Sequence, residues 1–126
     1  MTKKILILSN RLEFGGAEVY TVNIANSLKK EGCQVYVASS GGVLVDRLDE
    51  NIEHFKLPLA TKNIQGILSC AKKLRAIIKH LNIDILHTNS VIACFIAKIA
   101  TYFMKVSIVH TCHSWGDSKT RWSSYF

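Results

Sequence analysis

The chain has 126 residues, 48% of them hydrophobic, enough to build a core in one globular domain. Its net charge of +7 lies wholly in the second half: residues 1–61 carry seven basic and seven acidic side chains, residues 62–126 nine and two. Such asymmetry points to an anionic partner, while four cysteines, each inside an apolar segment and with no Cys-x-x-Cys pair or tight framework among them, fit reduced buried thiols in a cytosolic protein.

Lys4 to Asn10 reads as a strand, because Ile5-Leu6-Ile7-Leu8 is continuously apolar, as in a parallel strand covered on both faces. An apolar run of four residues after Lys3-Lys4 is too short for a signal peptide. A loop ending in Gly15-Gly16 then opens a helix from about Ala17 to Glu31. The paired glycines allow a tight turn and a close backbone approach. The free N–H groups and positive dipole end behind them form an anion site. The competing reading is a turn that only packs helix on sheet. Val19, Tyr20, Val22, Ile24, Ala25 and Leu28 cover most of this helix, Lys29 and Lys30 suit its negative end, and Gly32 closes it.

Gln34 to Ala38 is a second strand, followed by Ser39-Ser40-Gly41-Gly42, a short helix over Val43 to Glu50, and a third strand over Glu53 to Leu57 stopped by Pro58. From Asn63 to Leu81 the apolar residues Ile64, Ile67, Leu68, Ala71, Leu74, Ile77, Ile78 and Leu81 form one stripe at helical period. Lys72, Lys73, Arg75, Lys79 and His80 occupy the opposite face. Ile83 to Asn89 is a fourth strand. Ser90 caps a helix running to about Met104, apolar almost all round apart from Lys98, which predicts burial on both sides. It is too short and too interrupted to span a membrane. Val106 to Thr111 is the fifth strand and His113 to Asp117 the loop after it. Alternating strands and helices predict an α/β domain, a doubly wound parallel sheet of Rossmann-like form over residues 1–117. Residues 118–126 read as an irregular tail, the start of further structure, with Trp122, Tyr125 and Phe126 exposed.

The chemistry-bearing residues gather at the carboxyl edge of this sheet, where open α/β sheets bind ligands. No Gly-x-Gly-x-x-Gly follows the first strand and no acid ends the second, which argues against nicotinamide cofactors; no P-loop is present either. Of five histidines, His54 and His80 fall on solvated faces, while His87, His110 and His113 fall at the carboxyl edge. A metal site from His87, His110, Cys112 and His113 lacks a supporting helical pair, so no metal is expected. A binding or catalytic role for His113 is favoured by its place in an edge loop beside Trp115 and Gly116. Lys72, Arg75 and Lys79 form either a plain solvated face or a contact for anionic phospholipid. Nucleic acid is not expected, because aromatics are not interleaved with the cations.

Phe14-Gly15-Gly16-Ala17-Glu18, Asn23-Ile24-Ala25-Asn26-Ser27-Leu28 and Glu31-Gly32-Cys33-Gln34-Val35 together resemble the opening of the family 4 glycosyltransferases. Asp84-Ile85-Leu86-His87-Thr88-Asn89 resembles their fourth strand, and Val109-His110-Thr111-Cys112-His113 the Thr-x-His ending their fifth. The resemblance implies half of a GT-B architecture and metal-independent, retaining transfer of a sugar from a nucleotide-sugar donor to a glycan or lipid-linked acceptor. It implies Gly15 and Gly16 against the donor diphosphate and His113 at the donor sugar as the catalytic residue. It further implies Asn10, Arg11, Glu18, His87, Asn89 and Trp115 around the acceptor or sugar pocket. A cytoplasmic location, peripheral at the inner face of a membrane, would suit the basic second half. Cys33-Gln34 replaces the family's usual Gly-His. The family's Glu-x₇-Glu motif belongs to a C-terminal domain, so the chain alone is expected to transfer sugar weakly or not at all. The competing class is a non-catalytic subunit that docks a separate catalytic chain and anchors it to the membrane.

Overall fold

The computed structural model describes residues 3–9, 16–57, 59, 63–113 and 120–125, and of 16–18, 43, 111–113 and 120–125 it describes the backbone alone. Strands β1 (Lys4–Leu8), β2 (Gln34–Ser39), β3 (Glu53–Lys56), β4 (Ile85–Thr88), β5 (Ser107–His113) and β6 (Thr120–Tyr125) alternate with helices α1 (Gly16–Lys30), α2 (Ile64–Leu81) and α3 (Val91–Ala100) and a 3-10 helix at Val43–Arg47. The sheet order is β3-β2-β1-β4-β5-β6. β1 to β5 pair in parallel and β6 runs antiparallel along β5. This is the expected doubly wound α/β domain.

Strand periodicity sorts the core into two layers. Leu6, Leu8, Leu86 and Ile108 point toward α2 and α3 and meet Ile67, Leu74, Ile78, Ala93 and Ile96. Ile5, Ile7, Val35 and Val37 point the other way, onto Val22 and Ala25 of α1 and onto Leu44 and Leu48. Both faces of β1 are therefore covered, which is why its sequence shows no polar alternation. Asn26, within one of the family-like stretches, ties α1 to the segment after β2: its Nδ2 donates to Arg47 O (3.0 Å) and its Oδ1 accepts from Asp49 N (2.8 Å).

The helix ends obey local rules. Gly32, at φ 95°, follows α1, and a Schellman pair closes the helix, Cys33 N to Leu28 O and Gly32 N to Lys29 O, both 3.1 Å. Asn63 Oδ1 accepts from Gln65 N (2.9 Å) to start α2, and Ser90 Oγ accepts from Ala93 N (3.1 Å) to start α3. Asn82 ends α2 in the left-handed region, φ 56°.

Three expectations are corrected. The helix after Ser90 stops at Ala100 and is not buried on both sides: Val91, Phe95 and Tyr102 are 76%, 52% and 67% exposed. α3 packs on the sheet and on α2, while Val91 and Phe95 of its outer face stay exposed, a circumstance that an all-round apolar pattern cannot reveal. The stripe of α2 likewise departs from the sheet at its N-terminal end, where Ile64 and Leu68 are exposed. Finally, 120–125 is a strand rather than irregular. It satisfies the outer edge of β5, and its composition, Thr-Arg-Trp-Ser-Ser-Tyr, has strand propensity without the alternation that would announce it.

Candidate functional site

The strand order reverses between β1 and β4. The chain leaves β1 for α1 on one face of the sheet and leaves β4 for α3 on the other, which opens a crevice at the carboxyl edge between them. Helices joining parallel strands run back against them, so the N-termini of α1 and α3 flank this crevice. Both bring free N–H groups and positive dipole ends to it. Gly16 is the first residue of α1.

The crevice is walled by polar groups that are buried and bonded. Ser9 donates its backbone N–H to Ala38 O (3.0 Å) and Asn89 its own to Leu8 O (3.3 Å), which pins both loop starts to the sheet. Ser9, Thr21, His87 and Thr88 are all buried. Asn89 Nδ2 donates to Thr21 Oγ1, so the loop after β4 is latched to α1. Thr88 Oγ1 and His110 Nδ1 share a hydrogen bond of 2.8 Å across β4 and β5. Buried hydroxyls and amides held by partners keep fixed orientations, the condition for recognising a polyhydroxylated ligand without reorganisation.

The expected site residues separate into groups. Asn10, Arg11, Gly15 and Trp115 lie outside the described residues. Glu18 is in the first turn of α1 and His113 is the last residue of β5, so His113 ends a strand rather than sitting in the loop after it; neither side chain is described. Asn89 stands in the crevice. His87 does not face it openly: register places it beside Ile7, on the α1 side of the sheet, 5% exposed. Thr21 and Thr88 also border the crevice, with His110 bonded to Thr88, and no sequence motif singles out the two threonines. A threonine among the apolar positions of α1 was the available signal, since a fully buried hydroxyl implies a fixed partner.

Two further expectations change. Arg75 is not a solvated cation beside Lys72 and Lys79: its Nη1 donates to Ala100 O (3.1 Å) and Tyr102 O (2.9 Å), at the carboxyl end of α3. His54 is not on a solvated face either. It is half-buried, with Nε2 2.6 Å from Ser39 Oγ, which also accepts from Gly41 N (3.1 Å). Burial lowers the His54 pKa, so the neutral ring is favoured, and its Nε2 can accept a hydrogen bond from the Ser39 hydroxyl. Among the described residues no group of three or more His, Cys, Asp or Glu could hold a metal ion, and no helix is long and apolar enough to cross a membrane.

Comparison with known proteins agrees with this geometry. The family model for Glycosyltransferase Family 4 matches residues 14–126. An uncharacterized glycosyltransferase of Haemophilus influenzae is 36% identical over 76 residues, which are 57% of this chain and 21% of that protein. A glycosyltransferase structure from Rickettsia africae superposes with a TM-score of 0.75 at 29% identity, over 93% of this chain and 32% of that one. MurG of Acinetobacter baumannii shares the fold, with a TM-score of 0.67 at 18% identity over 86% of this chain and 34% of that one. The chain thus spans about a fifth to a third of the length of the relatives it matches.

Proposed function

The chain belongs to glycosyltransferase family 4, and from that premise we propose that it forms the acceptor-side half of a retaining enzyme, which moves a sugar from a nucleotide-sugar donor to a glycan or lipid-linked acceptor in the cytoplasm. The observation that carries the proposal is the polar crevice between β1 and β4, bounded by the N-terminus of α1 and latched by Asn89 and Thr21. A donor diphosphate against Gly15 and Gly16 would meet the free N–H groups of that helix, where negative charge is favoured. In transfer, the anomeric carbon–oxygen bond to the diphosphate breaks and the diphosphate leaves with the electron pair. The acceptor oxygen bonds the anomeric carbon and releases its proton. A helix N-terminus stabilises the charge growing on the leaving diphosphate. His113, at the carboxyl end of β5, is placed in this reading against the donor sugar. Asn10, Arg11, Glu18 and Trp115 border the acceptor. Because the chain is about a third as long as its structural relatives, the donor nucleotide would be gripped mainly by a second domain.

The test is an amide NMR titration of the isotope-labelled chain with UDP-glucose and with GDP-mannose. Shifts confined to Ser9, the first turns of α1 and Asn89, which weaken in Gly16→Trp, are the expected result. Shifts centred elsewhere, or shifts at these residues that persist unchanged in Gly16→Trp, would overturn the assignment.

A further inference from the structure

We propose that the amino edge of the sheet, opposite the crevice, carries a groove that holds an acidic glycan chain. α1 is followed by Gly32 at φ 95° and α2 by Asn82 at φ 56°, residue types that accept a left-handed backbone. The turn after α3 puts Phe103 there instead, at φ 67°, where a bulky side chain is strained. Its surroundings hold it in place: Arg75 donates to the Ala100 and Tyr102 carbonyls, Thr101 Oγ1 donates to Ala97 O (2.8 Å), and Met104 N donates to Thr101 O (2.8 Å). The strain brings no burial in return, since Phe103 is 91% exposed. Its ring and that of Tyr102 meet edge to face, 4.3 Å between centroids. A residue that strains the backbone and packs little against the fold is placed for something outside it.

Two adjoining cavities lie beside these rings. One, of about 390 Å³, is bordered by Tyr102 and Phe103; the other, of about 320 Å³, is lined by Lys79, Asn82, Asp84 and Lys105. Met104 and Val106 border both, so the two lie side by side as one elongated groove. Its polar end is held rigidly. Asp84 Oδ2 accepts from Lys4 N and Asp84 N donates to Lys4 O, both 2.9 Å, while the Asn82 N–H caps α2 on Ile78 O. Aromatic rings at one end, with an amide, a carboxylate and two ammonium groups at the other, match a sugar chain, whose rings have apolar C–H faces and edges of hydroxyls.

Charge narrows the ligand. Lys79 and Lys105 are exposed, and Asp84, the acid that lines the groove with them, is already bonded. A glycan bearing carboxylates is therefore favoured over a neutral one. A second copy docked about a two-fold axis would set these lysines against one another. α3, ten residues and so about 15 Å long, separates the groove from the crevice at the carboxyl edge. Only an oligomeric or polymeric acceptor reaches from one to the other, which names the acceptor class. That step rests on the transferase reading, whereas binding at the amino edge is measured independently of any donor.

The test is an amide NMR titration of the full chain, without sugar nucleotide, against hexagalacturonate, maltohexaose and tripolyphosphate. Hexagalacturonate is expected to shift Lys79, Asn82, Lys105 and the turn at Tyr102 and Phe103. Maltohexaose should bind more weakly, and tripolyphosphate, an anion without sugar rings, should leave the turn unmoved. Phe103→Asn should weaken hexagalacturonate binding about tenfold. It should also raise Tm by about 3–6 °C, because asparagine relieves the left-handed strain. Lys79→Gln with Lys105→Gln should bring the acidic and neutral glycans to equal affinity. No shift at the turn with hexagalacturonate, an equal response there to tripolyphosphate, or a fall in Tm for Phe103→Asn would overturn the proposal. So would concentration-dependent line broadening at the turn without glycan, which would make it an interface between copies. Donor-induced shifts at Ser9 and Asn89 are read separately, so either site can fail alone.

Discussion

Removing the Arg75 side chain should destabilise the domain, although it looks on sequence like one cation of a solvated face. Its guanidinium makes two bonds, to Ala100 O at 3.1 Å and Tyr102 O at 2.9 Å, joining α2 to the end of α3. Hydrogen bonds from a charged donor contribute about 1.5–3 kcal/mol each when buried. The Tyr102 bond is exposed and Arg75 itself only half-buried, so water can replace much of what is lost. A favourable interaction with the negative end of the α3 dipole adds a few tenths. Arg75→Ala should therefore cost about 1–2 kcal/mol in urea denaturation, or about 4–8 °C in Tm for a domain of this size. Arg75→Lys should recover less than half, because one ammonium cannot reproduce a fork that reaches two carbonyls. A solvated cation would cost under about 0.5 kcal/mol. A measured loss of that size for Arg75→Ala would refute the clamp.

The Ser39–His54 pair predicts a pH effect of defined sign. Burial lowers the folded pKa of His54 beneath its ordinary value of 6.5, so its contribution is complete above about pH 6.5 and is lost as the pH falls from there through the folded pKa. The urea midpoint should drop between pH 7.5 and pH 5, and His54→Gln should flatten that slope; equal slopes in both proteins would remove His54 as the cause. At the crevice, Thr21→Val keeps the shape of a fully buried side chain but removes the acceptor for Asn89. It should cost about 1 kcal/mol and disperse the donor-induced NMR shift at Asn89, with Thr21→Ser restoring both. A full response in Thr21→Val would mean that the latch does not organise the site.

Much of this protein is written locally. The apolar run Ile5–Leu8, the N-cap residues Asn63 and Ser90, and the terminators Gly32 and Asn82 act over a few residues through backbone geometry and short-range hydrogen bonds. Element type and order from β1 to β5 therefore followed from the sequence, and with them the carboxyl edge where the candidate site lies, whereas β6 did not. The sequence could not say what each outward face meets. Thr21 and Asn89 are 68 residues apart, and Ser39 and His54 belong to neighbouring strands, so their bonds exist only because β-strand order brings them together. The same holds for Arg75, which periodicity puts on a polar face and packing puts against the end of α3. It holds equally for α3, apolar all round, of which only tertiary structure decides which side finds a neighbour. Burial is a property of the assembled layers, and a helix carries no local record of where those layers stop.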